Sequence, residues 1–202
     1  MKYLYSIILL TLSVSSFAQS SDKAAFNSQS NITIEKHIEN NMRYPMIAYC
    51  NGVQGYIHIS FRLNQEGEII ETKLERRVYE LMDLEAIRLV KSTEGMWVLE
   101  QANSQHESDK VVVKVKFKLD EHPEAKKLLK SYKKADKYLK KGKYKEAAAL
   151  FNLILENNPF DYDVQYKLAQ CYFNMNMKTE ACKLLEDNKY SKAVKLKETK
   201  CK

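Results

Sequence analysis

Four histidines, four cysteines and one short polar cluster are where any chemistry would have to start in this 202-residue chain. His37, His58, His106 and His122 stand in no metal-ligand spacing to one another, and no His-Glu-x-x-His, Gly-x-Ser-x-Gly or glycine-rich phosphate loop occurs. His106-Glu107-Ser108-Asp109 holds the residue types of a hydrolytic triad, but neighbours in a loop do not make triad geometry. His58 falls on the polar side of a strand pattern and reads as a surface residue. Cys50, Cys171, Cys182 and Cys201 include no Cys-x-x-Cys, so metal and dithiol-redox chemistry are both weakly supported. The sequence therefore implies no catalytic residue, no metal site, no cofactor and no enzyme.

The elements that remain must then explain the chain by what they can bind. Gly52–Phe61 continues to Leu63, with Val53, Ile57, Ile59, Phe61 and Leu63 alternating against mostly polar residues; that is the period-two signature of a strand buried on one face. Asn64 to Gly67 supplies a turn, and Glu68–Arg76 returns as the second arm of a hairpin. Before it, Asn31–Asn41 spaces Ile32, Ile34 and Ile38 as a short helix, which Arg43-Tyr44-Pro45 stops and turns. After it, Tyr79–Lys91 is amphipathic with Asp83 and Glu85 in its first turns. Ser92–Lys110 reads as a polar loop around Trp97. Val111–Leu119 alternates Val111, Val113, Val115, Phe117 and Leu119 with Val112, Lys114, Lys116 and Lys118, giving a third strand with one apolar and one lysine-rich face.

Charge divides the chain. Residues 1–122 carry 14 Lys+Arg against 16 Asp+Glu, net −2, whereas residues 123–202 carry 19 Lys against 10 Asp+Glu, net +9. The absence of arginine from that second part weakens a nucleic-acid role, since arginine forks read bases and phosphates, and a solvated helical surface fits better. At the N-terminus, Lys2, the apolar run Tyr3–Val14 and small residues at Ser16 and Ala18 form a cleavable secretory signal over residues 1–18, with the cut after Ala18. The run is too short to span a bilayer as an anchor, so no stable membrane insertion is expected after cleavage. Residues 19–30 read as a flexible leader. An exported chain is free to hold a disulfide.

Taken together, the helix, Tyr44-Pro45 with Ala48, Gly52-Val-Gln-Gly55 opening a strand, Asn64 and Gly67 in the turn, Leu81, Asp83 and Glu85-Ala86 in a helix, Trp97 and the closing Phe117-Lys-Leu119 resemble the C-terminal domain of TonB-type energy transducers. The resemblance implies a periplasmic α/β module, here residues 31–120, that recruits a receptor segment by adding it as a strand to its sheet edge. Transducers of that kind also have an uncleaved anchor and a long proline-rich spacer, whereas this chain has three prolines in all. By itself it should not link two membranes. On this resemblance the docking edge is Val111, Val112, Val113, Lys114, Val115, Lys116, Phe117 and Lys118, and the outward lysines would favour an acidic segment.

Beyond Glu121-His122-Pro123, a 34-residue period relates Ala135 to Ala169, Tyr138 to Tyr172 and Ala147 to Ala181, with Gly142 in a turn and Pro159 at an end. This pattern is similar to tetratricopeptide repeats over residues 124–198, although the second copy has Asn176 where the turn glycine would stand. Residues 190–202 would form a capping helix. The resemblance puts Tyr132, Asp136, Tyr166 and Gln170 on a concave face that either binds a peptide or packs on the first module. On paired helices of the second repeat, Cys171 and Cys182 would face each other within disulfide reach.

The fold expected is α+β: about three antiparallel strands with two helices, followed by an all-α helical-hairpin unit. The function expected is non-enzymatic binding of a protein or peptide partner in the cell envelope, with no nucleic acid. An accessory of TonB-dependent transport, or a non-catalytic subunit of an envelope hydrolase or protease, stand as alternatives.

Overall fold

The computed structural model describes residues 24–27, 32–64, 66–99 and 110–202. The expected signal segment with its cut, most of the leader, and the His106–Asp109 cluster lie outside them.

Thr33 opens the first helix, α1 (Ile34–Asn41), its hydroxyl accepting from Lys36 N at 3.3 Å. The chain then turns at Pro45, whose fixed φ suits a helix start, into a second short helix, α2 (Met46–Cys50). The sequence suggested only a turn there. The hairpin follows as β2 (Gly55–Leu63) and β3 (Ile69–Arg76), then α3 (Glu80–Lys91) and β5 (Val111–Phe117), and the three strands form an antiparallel sheet in the order β3-β2-β5.

Two three-residue strands were not foreseen: β1 (Ala24–Phe26), inside the expected leader, pairs antiparallel with β4 (Trp97–Leu99), inside the expected loop. Trp97 explains the pairing. Its ring meets Phe26 edge-on at 5.3 Å and Phe61 at 5.1 Å, and its Nε1 donates to Thr93 Oγ1 at 3.0 Å. An aromatic anchor on the sheet face thus holds the early segment down. Gly67 is required by the same contact. It sits at φ +79°, and a Cβ there would lie 2.6 Å from Trp97 O.

The second part is helical: α4 (Pro123–Lys140), α5 (Tyr144–Asn157), α6 (Tyr162–Asn174), α7 (Lys178–Leu185) and α8 (Ser191–Lys200). The 34-residue period is visible in the turns. Lys143 N donates to Tyr138 O at 3.0 Å, and Met177 N to Tyr172 O at 2.9 Å; Gly142 at φ +72° is matched by Asn176 at φ +59°. Asparagine is among the side chains that tolerate the left-handed region, so the missing glycine leaves the turn intact. The expected capping helix is present as α8. The disulfide differs from expectation: Cys182 bonds Cys201, with Cα atoms 5.6 Å apart, and ties α7 to the end of α8. Cys171 instead turns inward on α6 as a buried free thiol, which burial pushes up to about 11.

One hydrophobic core runs through both parts, joining Ile57, Phe61 and Phe117 of the sheet with Tyr132, Phe151 and Leu168 of the helices. Helix α2 carries the junction, lying against α4 and α6.

Candidate protein-interaction site

On β5, Val111, Val113, Val115 and Phe117 are buried beneath the sheet, while Val112, Lys114 and Lys116 point away from that core; Lys118 lies just past the strand, which ends two residues before the expected Leu119. The inward row anchors the strand: Phe117 meets the buried Tyr44 ring edge-on at 5.4 Å. Tyr44 in turn donates its hydroxyl to Val53 O, and burial pushes its pKa up to about 12. β5 pairs with β2 from Gly55↔Phe117 to Phe61↔Val111 in unbroken register. Among the described residues no strand pairs with its other side. Beside it lies a cleft of about 550 Å³, bounded by Val111, Val113 and Lys114 on the strand, by Ile34, Glu35 and Ile38 of α1 with Met42 just past its end, and by Phe26 and Trp97.

The outward row carries less free charge than its sequence suggests. Lys116 and Lys118 share Glu121, at 2.8 and 3.4 Å, and Lys114 Nζ stands 4.1 Å from the centroid of the Tyr56 ring. The Lys116 ammonium holds the Glu121 carboxyl below its ordinary range, while Glu121 raises Lys116. Glu35 and Glu39 line the cleft as well. The wall is therefore mixed in sign, with an apolar floor, and the expected preference for an acidic segment loses its main support.

The repeat face is arranged differently. Tyr132 is 3% exposed, so it is not an open contact residue. Its hydroxyl donates to Asp163 Oδ2 at 2.8 Å and accepts from Lys167 Nζ at 2.7 Å. Lys167 also pairs with Asp136 at 2.9 Å and Asp163 at 3.2 Å, and Asp136 takes Lys140 at 2.7 Å. Tyr166 lies edge-on to Tyr190 at 5.9 Å and accepts from Gln170 at 3.0 Å. The partners of these four side chains all belong to the helical part itself.

Asp161 is the latch between the helical part and α2. It caps α6, accepting from Val164 N at 3.2 Å, and its other oxygen accepts from Met46 N of α2 at 2.7 Å. The residue is 1% exposed; burial, and then the neighbouring Asp163 charge, raise its carboxyl to about 7. Further bridges run from Arg88, 4.5 Å from the centroid of the Phe160 ring, and from Glu80, which accepts from Ser191 N and Oγ at 2.7 and 2.9 Å. Sequence reasoning missed Asp161 and the α1 wall of the cleft. An aspartate just before an apolar helix was a legible cap signal, but its second partner, 115 residues away, was not.

No group of three or more His, Cys, Asp or Glu among the described residues could hold a metal ion. His58 stands opposite Lys114 and Arg76 in the register, and its Nε2 has no hydrogen-bond partner among the described residues. No described helix is long and apolar enough to cross a membrane.

Comparison with known proteins agrees with the resemblances drawn from the residues. Residues 40–119 match the family of the Gram-negative bacterial TonB protein C-terminal, and residues 138–194 match the tetratricopeptide repeat family. A solved neighbour is the C-terminal domain of Helicobacter pylori TonB, determined in solution by NMR. It shares 21% identity over 43% of this chain and 89% of that one, with a TM-score of 0.34. No curated protein matches the chain. The chain thus joins a TonB C-terminal-like module to tetratricopeptide-like repeats, two kinds of module that serve protein–protein interaction.

Proposed function

We propose that this is a non-enzymatic periplasmic protein that captures an extended segment of an envelope partner, such as an outer-membrane receptor, by adding it as a strand beside β5. The observation that carries this is the regular far edge of β5, with which no strand pairs among the described residues, and the cleft alongside it. An added strand would take main-chain hydrogen bonds from that edge. Its alternate side chains would enter the apolar cleft against Ile34, Ile38 and Phe26, which supplies selectivity. The match to the TonB C-terminal family supports the same mode of binding. The repeats then serve to hold the module through α2 rather than to offer their concave face.

The test is capture from envelope extract by the parent and by two variants. Val112→Pro alters the edge strand, because proline gives no N–H and disturbs a ladder; Ile34→Arg fills the cleft from the helix side and leaves the strand untouched. Each is accepted only if its circular-dichroism melt stays close to the parent's. Both should lower capture of the same partner by about tenfold or more. Parental capture by a folded Ile34→Arg variant would show that docking occurs elsewhere.

A further inference from the structure

The outer face of α4 carries charge that neither the edge strand nor the module junction uses. Lys126, Lys130, Lys133, Lys134 and Lys137 are all exposed. At about 100° per residue they fall within one wedge of roughly 100°. The buried residues Ala125, Tyr132 and Ala135 lie on the opposite side. The stripe is about 16 Å long, and Lys141, Lys143 and Lys145 continue it as exposed residues past the helix end.

Among the described residues none of these five lysines makes an ion pair; the helix's own carboxylates are taken by Lys127, which pairs with Glu124, and by Lys140 and Lys167, which pair with Asp136. A helix that needed only to be soluble would alternate signs at four-residue spacing. Here Lys126/Lys130, Lys130/Lys134 and Lys133/Lys137 repel at that spacing. A one-signed face of this kind is relieved by an external polyanion.

The form of the stripe selects the polyanion. It lies outside the cleft beside β5, and it is built of lysine alone, whose flexible ammonium groups act as point charges rather than as planar forks fitted to a fixed ligand. Tyr138, with Lys134 at 5.5 Å and Lys143 at 5.8 Å from its ring centroid, adds an amphipathic side chain at the border. Mobile anions on a plane meet such a face without any shape match, and a cluster of four to eight lysines on a helix surface is the pattern that anionic bilayers attract. We infer that the lysine stripe of α4 holds the protein peripherally against an anionic phospholipid surface.

Vesicle co-sedimentation of the purified full chain tests this, using phosphatidylcholine alone or with about 30% phosphatidylglycerol. The readout is the ratio of binding to the two vesicles, which an apolar N-terminal segment would leave unchanged. The parent should prefer the anionic vesicles by about tenfold or more at about 50 mM salt and lose the preference near 500 mM. Lys130→Gln/Lys133→Gln/Lys137→Gln should remove most of it. Lys189→Gln/Lys195→Gln/Lys200→Gln, which removes the same charge from other exposed sites, should stay within about twofold of the parent. Absence of a preference at low salt, equal loss in both variants, or retention of DNA or an acidic peptide in place of vesicles would each overturn the inference.

Discussion

β3 and β5 flank the same central strand, yet their outer edges differ in kind. β3 carries Glu71, Lys73, Glu75 and Arg76, is largely exposed, and meets β2 through two register shifts, at His58/Ile59 and at Arg62/Leu63. Bulges and charges are the devices by which edge strands resist unwanted pairing. β5 keeps unbroken register, buries every second side chain, and has a cleft beside it. Val112 on β5 and Ile70 on β3 are exposed to nearly the same extent, 60% and 63%. Exposed apolar area thus does not separate the two edges; regularity, anchoring and room beside the strand do.

The largest effect that would sharpen this contrast is on stability. Phe117→Ala should cost about 3–5 kcal/mol, because it empties a fully buried site against Tyr44. Ile70→Ala should stay within about 0.5 kcal/mol. Urea melts of both variants measure the difference, and equal losses would mean that β5 is no better anchored than β3.

Next comes the latch between α2 and α6. Asp161→Ala should cost about 2–4 kcal/mol, since it removes a helix cap and leaves the N–H groups of Met46 and Val164 without their partner. The pH dependence has a definite sign. Asp161 titrates near 7 in the folded chain against an ordinary value of 3.8, so the folded state keeps a proton that the unfolded state releases. Its contribution to stability therefore falls as pH rises from about 4 through about 7. Thermal melts from pH 5 to 8 should show this decline, and Asp161→Asn should flatten it; an unchanged slope in that variant would assign the titration to another group.

The smallest expected change is at the edge itself. Val112→Thr should move stability by no more than about 0.5 kcal/mol, because the side chain touches solvent, and a melt checks it. A large loss would show that Val112 serves the fold and not the edge.

Much of this architecture was legible in the residues. The alternation at Ile57, Ile59, Phe61 and at Val113, Val115, Phe117 marks strands because burial on one face enforces period two. The Ala135/Ala169 and Tyr138/Tyr172 spacing marks the repeats in the same way. What was hidden depends on contacts distant in sequence. Ala24–Phe26 and Trp97–Leu99 are too short to show a period, and pair because Phe26 and Phe61 converge on Trp97. Tyr132 looked like a concave-face contact, but α2 packs against α4 and Asp163 takes its hydroxyl. Cys182 was assigned the nearer helical partner, whereas α8 folds back to bring Cys201 to it. The β5 row was visible, while the α1 wall that gives it a cleft was not.

Strand addition at β5 is tested most directly by placing a photo-crosslinking residue at position 112 or at position 70 and illuminating intact cells. The account predicts an adduct at 112 with one envelope protein, mapping to an extended segment with alternating apolar residues, and background labelling at 70. Equal labelling at both positions, or labelling at 70 alone, would contradict it.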